Sequence, residues 1–388
     1  MTELTAEQRM IRDVARDFTR TKVRPIADRL DPVKGEIPQD LVDAMAEMGY
    51  FGILIPEAFG GLGLGAVEYC LVAEELARGW MSVASLIARG NMLIGSLKML
   101  TEAQQAVYLP RMAAGKFLGA YSLSEPNAGS DLANISCRAV RVDGGWEITG
   151  NKYWCTYADR ADFILVFART ETDADPRARH RGLTAFMVEK PRGELPQGVA
   201  GSVIPKIGYH GWTTWELAFD RCRVPEANMV GAEGRGFYLA TAGLETARAH
   251  TAARSIGLAT AGLEDAIAYA RERAQFGRPI AALQAIRFKI ANMATEIEAA
   301  RSLLYAVCAK IDSGVRCDKE AAMAKLFASE MSERVTSEAL QVHGGAGYTT
   351  LHAVERHWRD ARLTKIFEGT SEIQLRIISD HLLGRDAG

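Results

Sequence analysis

Glu368 stands in the stretch IFEGTSEIQ, residues 366–374, directly before Gly369, Thr370 and Ser371. Ser371 and Gln374 have the spacing of a capping box that opens a final helix. The carboxylate is then held on a short loop at a helix start, where the dipole favours the anion. Ile366 and Phe367 oppose it by desolvation. A carboxylate under two opposing influences suits proton abstraction. On pattern alone, a lone glutamate before a helix is usually a plain capping carboxylate.

Four other segments carry weaker signals. Residues 121–131 read YSLSEPNAGSD, an irregular loop whose free backbone N–H groups suit a polar ring or a phosphate. The same stretch also reads as a simple helix-to-strand connection. In KYWCT, residues 152–156, Trp154 fits either a core or an aromatic wall beside a planar cofactor. RAQFGRP, residues 273–279, puts Arg273 at a helix end, where a cation also complements the dipole. QVHGGAGY, residues 341–348, stops a helix at paired glycines, which allow close approach to the backbone or simply cap it.

The elements that must position these residues fall into three blocks, 1–118, 119–231 and 232–388. The first is helical. Thr5 and Gln8 form a capping box ahead of Met10, Ile11, Val14 and Phe18, and Pro25 falls near that helix's end. Further helices are expected over 38–48, 67–77, 82–97 and 102–114. The second block is β-rich, with runs at 136–142, 146–148, 163–168, 183–188 and 215–219. Asp143, Gly144 and Gly145 mark a hairpin, and 169–181 a polar surface loop. In the third block, 236–273 lacks proline and reads as one long helix, followed by helices over 283–313, 318–343 and 372–383. The fold class is mainly α with a central β domain. Strands between helical blocks argue against a doubly wound parallel sheet. Gly60, Gly61, Gly63 and Gly65 open no βαβ unit, so they are no dinucleotide fingerprint.

Composition excludes several classes. The 388 residues carry a formal net charge of -2, which recommends neither nucleic acid nor an acidic membrane as partner. Six scattered cysteines show no zinc spacing and read as reduced thiols, so no metal site is expected. The polar N-terminus lacks a signal-peptide core, and no apolar run approaches the ~20 residues that span a bilayer. A soluble, cytoplasmic protein is expected.

Taken in order, IPEAFGGLGLG, YSLSEPNAGSD, KYWCT, RAQFGRPI, QVHGGAGY and IFEGTSEIQ resemble the acyl-CoA dehydrogenase family over essentially the whole chain. The resemblance implies an N-terminal helical domain, a middle β-barrel-like domain and a C-terminal four-helix bundle, assembled as a homotetramer around FAD. Tyr121, Leu123 and Ser124 match positions along the flavin ring, and Trp154 and Thr156 the segment covering its other side. Arg273, Gln275 and Phe276, with Gln341, Gly344 and Gly345, match a site for a neighbouring subunit's FAD. Thr370 and Glu372 match positions on the phosphate and ribose side. Ser130, Glu245, Arg248 and Gly369 match substrate positions.

By the same resemblance, Glu368 takes the α-proton of an acyl-CoA while a β-hydride leaves for flavin N5, giving a trans-2-enoyl-CoA. An electron-transfer flavoprotein is the implied acceptor. The family's alternative base position corresponds to Ala247, which cannot act as one. Phe367 stands where a tyrosine is common. A short- or branched-chain acyl group is the first expectation. Arg78 and Arg89, flanking WMSVASLIA, raise a dicarboxylyl-CoA as the second, although each also reads as a surface arginine. An acyl-CoA oxidase and a silent flavin-binding subunit are further alternatives. The chain's length argues against the first, and its retained motifs against the second.

Overall fold

A computed structural model describes residues 4–171 and 176–384. Helix α1 (Ala6–Phe18) opens on the expected box: Thr5 Oγ1 accepts from Gln8 N at 3.1 Å, and Gln8 Oε1 accepts from Thr5 N at 3.0 Å. A wide turn leads directly into α2 (Arg24–Leu30), so Pro25 starts a helix rather than ending one. Proline suits that first turn because its missing N–H would be unpaired there anyway. The block continues with α3 (Gln39–Glu47), α4 (Ala66–Gly79), α5 (Met81–Asn91) and α6 (Glu102–Ala113). Helix α5 is shorter than the expected 82–97. The Asn91 side chain accepts from Leu54 N at 2.9 Å and donates to Tyr50 O at 3.1 Å, and the chain then turns into a 3-10 segment, Ile94–Met99.

The middle block is one mixed sheet. Its strands are β1 (Gly119–Ser122), β2 (Arg138–Val142), β3 (Gly145–Thr156), β4 (Phe163–Arg169), β5 (Leu183–Glu189), β6 (Val199–Val203), β7 (Thr214–Pro225) and β8 (Met229–Val230). The order is β6-β7-β3-β2-β4-β5-β8, with β1 parallel to β4. The β2–β3 hairpin turns where the sequence places it, with Gly144 at φ +76°. The polar stretch 169–181 is not simply a loop: Arg169 ends β4 and Pro176–Gly182 is a 3-10 turn, while 172–175 lie outside the described residues.

The third block contains α7 (Gly236–Thr241), α8 (Leu244–Glu272), a small hairpin of β9 (Ala274–Gln275) and β10 (Arg278–Pro279), then α9 (Gln284–Asp312), α10 (Asp318–His343), α11 (Val354–Thr364) and α12 (Ser371–Leu383). The single helix expected over 236–273 is two. Gly243 adopts φ +79°, and a Cβ there would stand 2.8 Å from Gly95 Cα, so the break occurs where two backbones touch. Helices α8 and α4 meet equally closely, since a Cβ on Gly257 would lie 2.3 Å from Glu74 O. One apolar core runs from α1 through α4, α5 and α8 to α10 and into the sheet. Helix α8 is thereby buried centrally and supplies one wall of the site.

Candidate active site

Between α11 and α12 the chain reverses at two left-handed residues, Glu368 (φ +53°) and Gly369 (φ +90°). For a glutamate this conformation costs on the order of 1 kcal/mol, so its surroundings must hold it there. Lys325 Nζ and Gln374 Nε2 both donate to Gly369 O, at 2.6 and 3.0 Å. The cap of α12 is Thr370, whose Oγ1 accepts from Ile373 N at 3.3 Å. The expected Ser371–Gln374 box is therefore not formed. Ser371 is already helical and donates to Glu330 Oε1 at 2.8 Å, while Gln374 is drawn back to the Gly369 carbonyl.

The Glu368 carboxylate is gripped by α8. Arg254 Nη2 donates to Oε1 at 2.7 Å, and Thr251 Oγ1 donates to Oε2 at 2.5 Å. Arg254 is 1% exposed, and its other arm donates to Ser85 Oγ on α5 at 2.6 Å. Its guanidinium also lies 4.7 Å over the Phe367 ring. Burial raises the Glu368 pKa, but the Arg254 charge and the Thr251 hydrogen bond outweigh it, and the net direction is downward. His250 is pushed down by burial to about 3, so it is neutral near pH 7 and adds no positive charge there. Burial also brings Lys325 down to about 8. The anion is thus stabilised chiefly by an arginine from another helix. Ile366 is solvent-exposed and does not desolvate it.

The Glu368 side chain remains 34% exposed. The Glu368 N–H has no partner among the described residues. Ala247 lies one helical turn before Thr251, whose Oγ1 stands 3.1 Å from the Ala247 carbonyl oxygen. On this face of α8 the rival base position therefore offers only a methyl group.

The two flavin-like segments lie side by side. Tyr153 N donates to Ser124 O at 2.8 Å. Lys152, fully buried, donates to Leu123 O at 3.0 Å and to Glu125 Oε1 at 2.9 Å, and Glu125 also takes the N–H groups of Ser136 and Cys137. This buried ion pair pins Tyr121, Leu123 and Ser124 to the strand bearing Trp154 and Thr156. A register shift between Lys152 and Cys155 puts Trp154 at φ +63° and leaves it 55% exposed. Thr156 Oγ1 pairs with Thr214 Oγ1 at 2.9 Å.

A second group sits elsewhere in the chain. Arg273, Gln275 and Phe276 lie on the exposed β9–β10 hairpin, with Phe276 90% exposed. Gln341, Gly344 and Gly345 are exposed at the end of α10, and a Cβ on either glycine would meet nothing within 4 Å. Tyr269 stacks on His343 at 4.3 Å, which joins these two ends of α8 and α10. No contact links this group with Glu368 among the described residues. Glu372 is exposed in the first turn of α12, and Ser130 on the loop after β1. Glu245 accepts from Cys317 N at 2.7 Å and Arg248 pairs with Asp318 at 3.4 Å, so both tie α8 to the start of α10.

The two candidate arginines differ. Arg78 is saturated by Glu75 and by both oxygens of Glu264. Arg89 is half-buried, not a surface residue, and lies 4.9 Å over the Trp212 ring. Sequence reasoning did not single out Thr251, Arg254 or Lys325. The available signal was a lone arginine, and a lone lysine, inside runs of small residues (AHTAARSIG and AAMAKLFASE) that must pack closely.

Models of the acyl-CoA dehydrogenase N-terminal, middle and C-terminal domains match residues 5–116, 120–222 and 234–383. An acyl-CoA dehydrogenase of Bacillus subtilis (strain 168) is 41% identical over 98% of this chain and 99% of its own. The chain belongs to the acyl-CoA dehydrogenase family. Among its other relatives, the (2S)-methylsuccinyl-CoA dehydrogenase of Cereibacter sphaeroides is 40% identical over 98% of this chain and 70% of its own. The butyryl-CoA dehydrogenase of Megasphaera elsdenii superposes with a TM-score of 0.91 at 36% identity, covering 99% of this chain and 100% of its own. The protein is accordingly a flavin-dependent oxidoreductase of acyl-CoA thioesters, with the helical, β and helical arrangement of its family. No helix of the described residues is long and apolar enough to cross a membrane, and no metal-binding cluster occurs among them.

Proposed function

We propose that this acyl-CoA dehydrogenase desaturates a short- or branched-chain acyl-CoA, with Glu368 as the base that takes the α-proton. The observation that carries this reading is the Glu368 carboxylate, kept anionic by Arg254 and Thr251 on a side chain that is still 34% exposed. The acyl groups in the names of the relatives above, methylsuccinyl and butyryl, are both short.

The cofactor is FAD, which when bound supplies the hydride acceptor for the β-hydrogen. The residues present fit it. Trp154 offers an outward-turned aromatic face, and the Lys152–Glu125 pair fixes that face beside the Tyr121–Ser124 segment. An acyl thioester placed between this wall and Glu368 has its α-carbon confronted with a base. The unpartnered Glu368 N–H is free to polarise the thioester carbonyl, which acidifies the α-proton. Ser130, Glu245, Arg248 and Gly369 are assigned to the acyl-CoA substrate. Glu245 and Arg248 serve there by fixing α8 rather than as free ligands.

The exposed Phe276 hairpin and the open glycines of α10 favour a homotetramer in which this surface meets a neighbouring subunit's FAD. An electron-transfer flavoprotein is the proposed electron acceptor. Anaerobic titration of the purified holoprotein with a panel of acyl-CoA thioesters, following the oxidised flavin band, tests the reading. Bleaching by short acyl-CoAs is expected, and an unchanged band with every thioester would overturn it.

A further inference from the structure

We propose that the acyl group carries a second carboxylate, so that the substrate is the CoA thioester of a short dicarboxylic acid recognised by Arg89, with the charge of Arg254 nearby. This rests on the reading of Glu368 as the α-proton base. Arg89 follows Ser85 by four residues on α5, so both lie on one helix face. Ser85 Oγ accepts from Arg254 Nη1 at 2.6 Å, which places the Arg254 guanidinium next to that face. Aromatic rings connect the two cations from the other side. Arg89 lies over Trp212, Trp212 meets Tyr209 at 5.1 Å, Tyr209 meets Phe367 at 5.8 Å, and Arg254 lies over Phe367.

Their pairing is unequal. Arg254 is fully engaged by Glu368, Thr251 and Ser85. Arg89 has no hydrogen bond and no ion pair among the described residues, and its Nε is buried without a partner. Arg78, on the neighbouring helix, shows what a structural arginine in this protein looks like, with Glu75 and Glu264 both on it. Two guanidiniums thus flank one run of aromatic rings, and only Arg254 has a carboxylate on it, Glu368. A neutral acyl chain would leave the buried Arg89 Nε unpaired, whereas a carboxylate satisfies it in the bidentate geometry that arginine favours.

The neighbourhood also limits length. Arg254 touches the base itself, so a carboxylate drawn toward its charge belongs to a short acyl chain. Succinyl- or glutaryl-sized acids fit this requirement. The second carboxylate takes no part in bond making. Glu368 receives the α-proton, the β-hydrogen leaves as hydride to FAD, and the carboxylate persists in the enoyl product.

The test compares isosteric pairs in anaerobic flavin reduction by the holoenzyme: succinyl- with butyryl-CoA, 2-methylsuccinyl- with 2-methylbutyryl-CoA, and glutaryl- with valeryl-CoA. All share the CoA phosphates, so an anion supplied by CoA gives no difference within a pair. At least one diacid thioester is expected to exceed its isostere about 100-fold in kcat/KM, because a built polar site rejects the analogue that lacks its partner. Arg89→Gln should abolish that preference while leaving the neutral thioesters little changed. Arg89→Lys, which keeps the charge but not the fork, should retain an intermediate preference. Reduction by the neutral member of every pair as fast as by the diacid, or a preference indifferent to both substitutions, overturns the inference and leaves Glu368 standing as the base. Reduction by none of the six overturns both readings.

Discussion

Arg254 Nη2 stands 2.7 Å from Glu368 Oε1, joining the centre of the long helix α8 to a loop 114 residues further along the chain. The pair has three consequences. It offsets the desolvation of a guanidinium that is 1% exposed, and it keeps the proposed base ionised. It also restrains that base, because a carboxylate held by arginine is a poorer proton acceptor than a free one.

The pH dependence follows from the sign of the shift. The pKa of Glu368 is depressed, so the carboxylate is ionised above that value, and the base is lost only as the pH falls through it. In Arg254→Met, burial remains while the attraction is gone. The acid limb of kcat/KM should therefore move to higher pH. A profile measured from about pH 4 to 9 with FAD saturating checks this, and a limb that stays in place contradicts the assigned cause.

Removal of the base itself should separate binding from chemistry. Glu368→Gln is expected to keep FAD but to lose flavin bleaching by about 100- to 10,000-fold. Ala247 lies one turn from Thr251, which touches the Glu368 carboxylate. A carboxylate introduced there, in Glu368→Gln combined with Ala247→Glu, should restore part of the lost rate in single-turnover reduction. Normal reduction by Glu368→Gln alone would remove Glu368 from the mechanism.

The buried Lys152–Glu125 pair predicts a stability effect. Lys152→Met leaves the Glu125 carboxylate buried with only the Ser136 and Cys137 donors. Breaking such a pair costs about 3–5 kcal/mol. Denaturant unfolding should show that loss, and weaker FAD retention should accompany it, because the same lysine holds the Leu123 carbonyl.

Helix contact sets a further limit. A Cβ on Gly257 would lie 2.3 Å from Glu74 O, so Gly257→Val must push α8 from α4. The cost expected from such overpacking is about 1–3 kcal/mol, read as a lowered Tm. Activity should fall with it, since Thr251 and Arg254 ride on the same helix.

Much of this protein is legible in its residues. The Thr5–Gln8 box, the hairpin at Gly144 and the α10 bounds of 318–343 follow from local chemistry, because each depends on neighbours a few positions apart. Local reasoning erred where a distant partner decided the outcome. Gly243 breaks a helix because Gly95 needs the space, Asn91 ends α5 through bonds to Leu54 and Tyr50, and Gln374 leaves its capping role for the Gly369 carbonyl.

The site divides in the same way. The ordered motifs by themselves determined the family, and with it FAD and the candidacy of Glu368, since a catalytic loop keeps its residue types in fixed sequence order. Only the tertiary structure decided what holds that carboxylate, which arginine near WMSVASLIA is saturated, and which is left without a partner. Charges on α5, α8 and the 368 loop are far apart in the chain. Their balance is set by distances of a few ångströms that arise only when the helices pack.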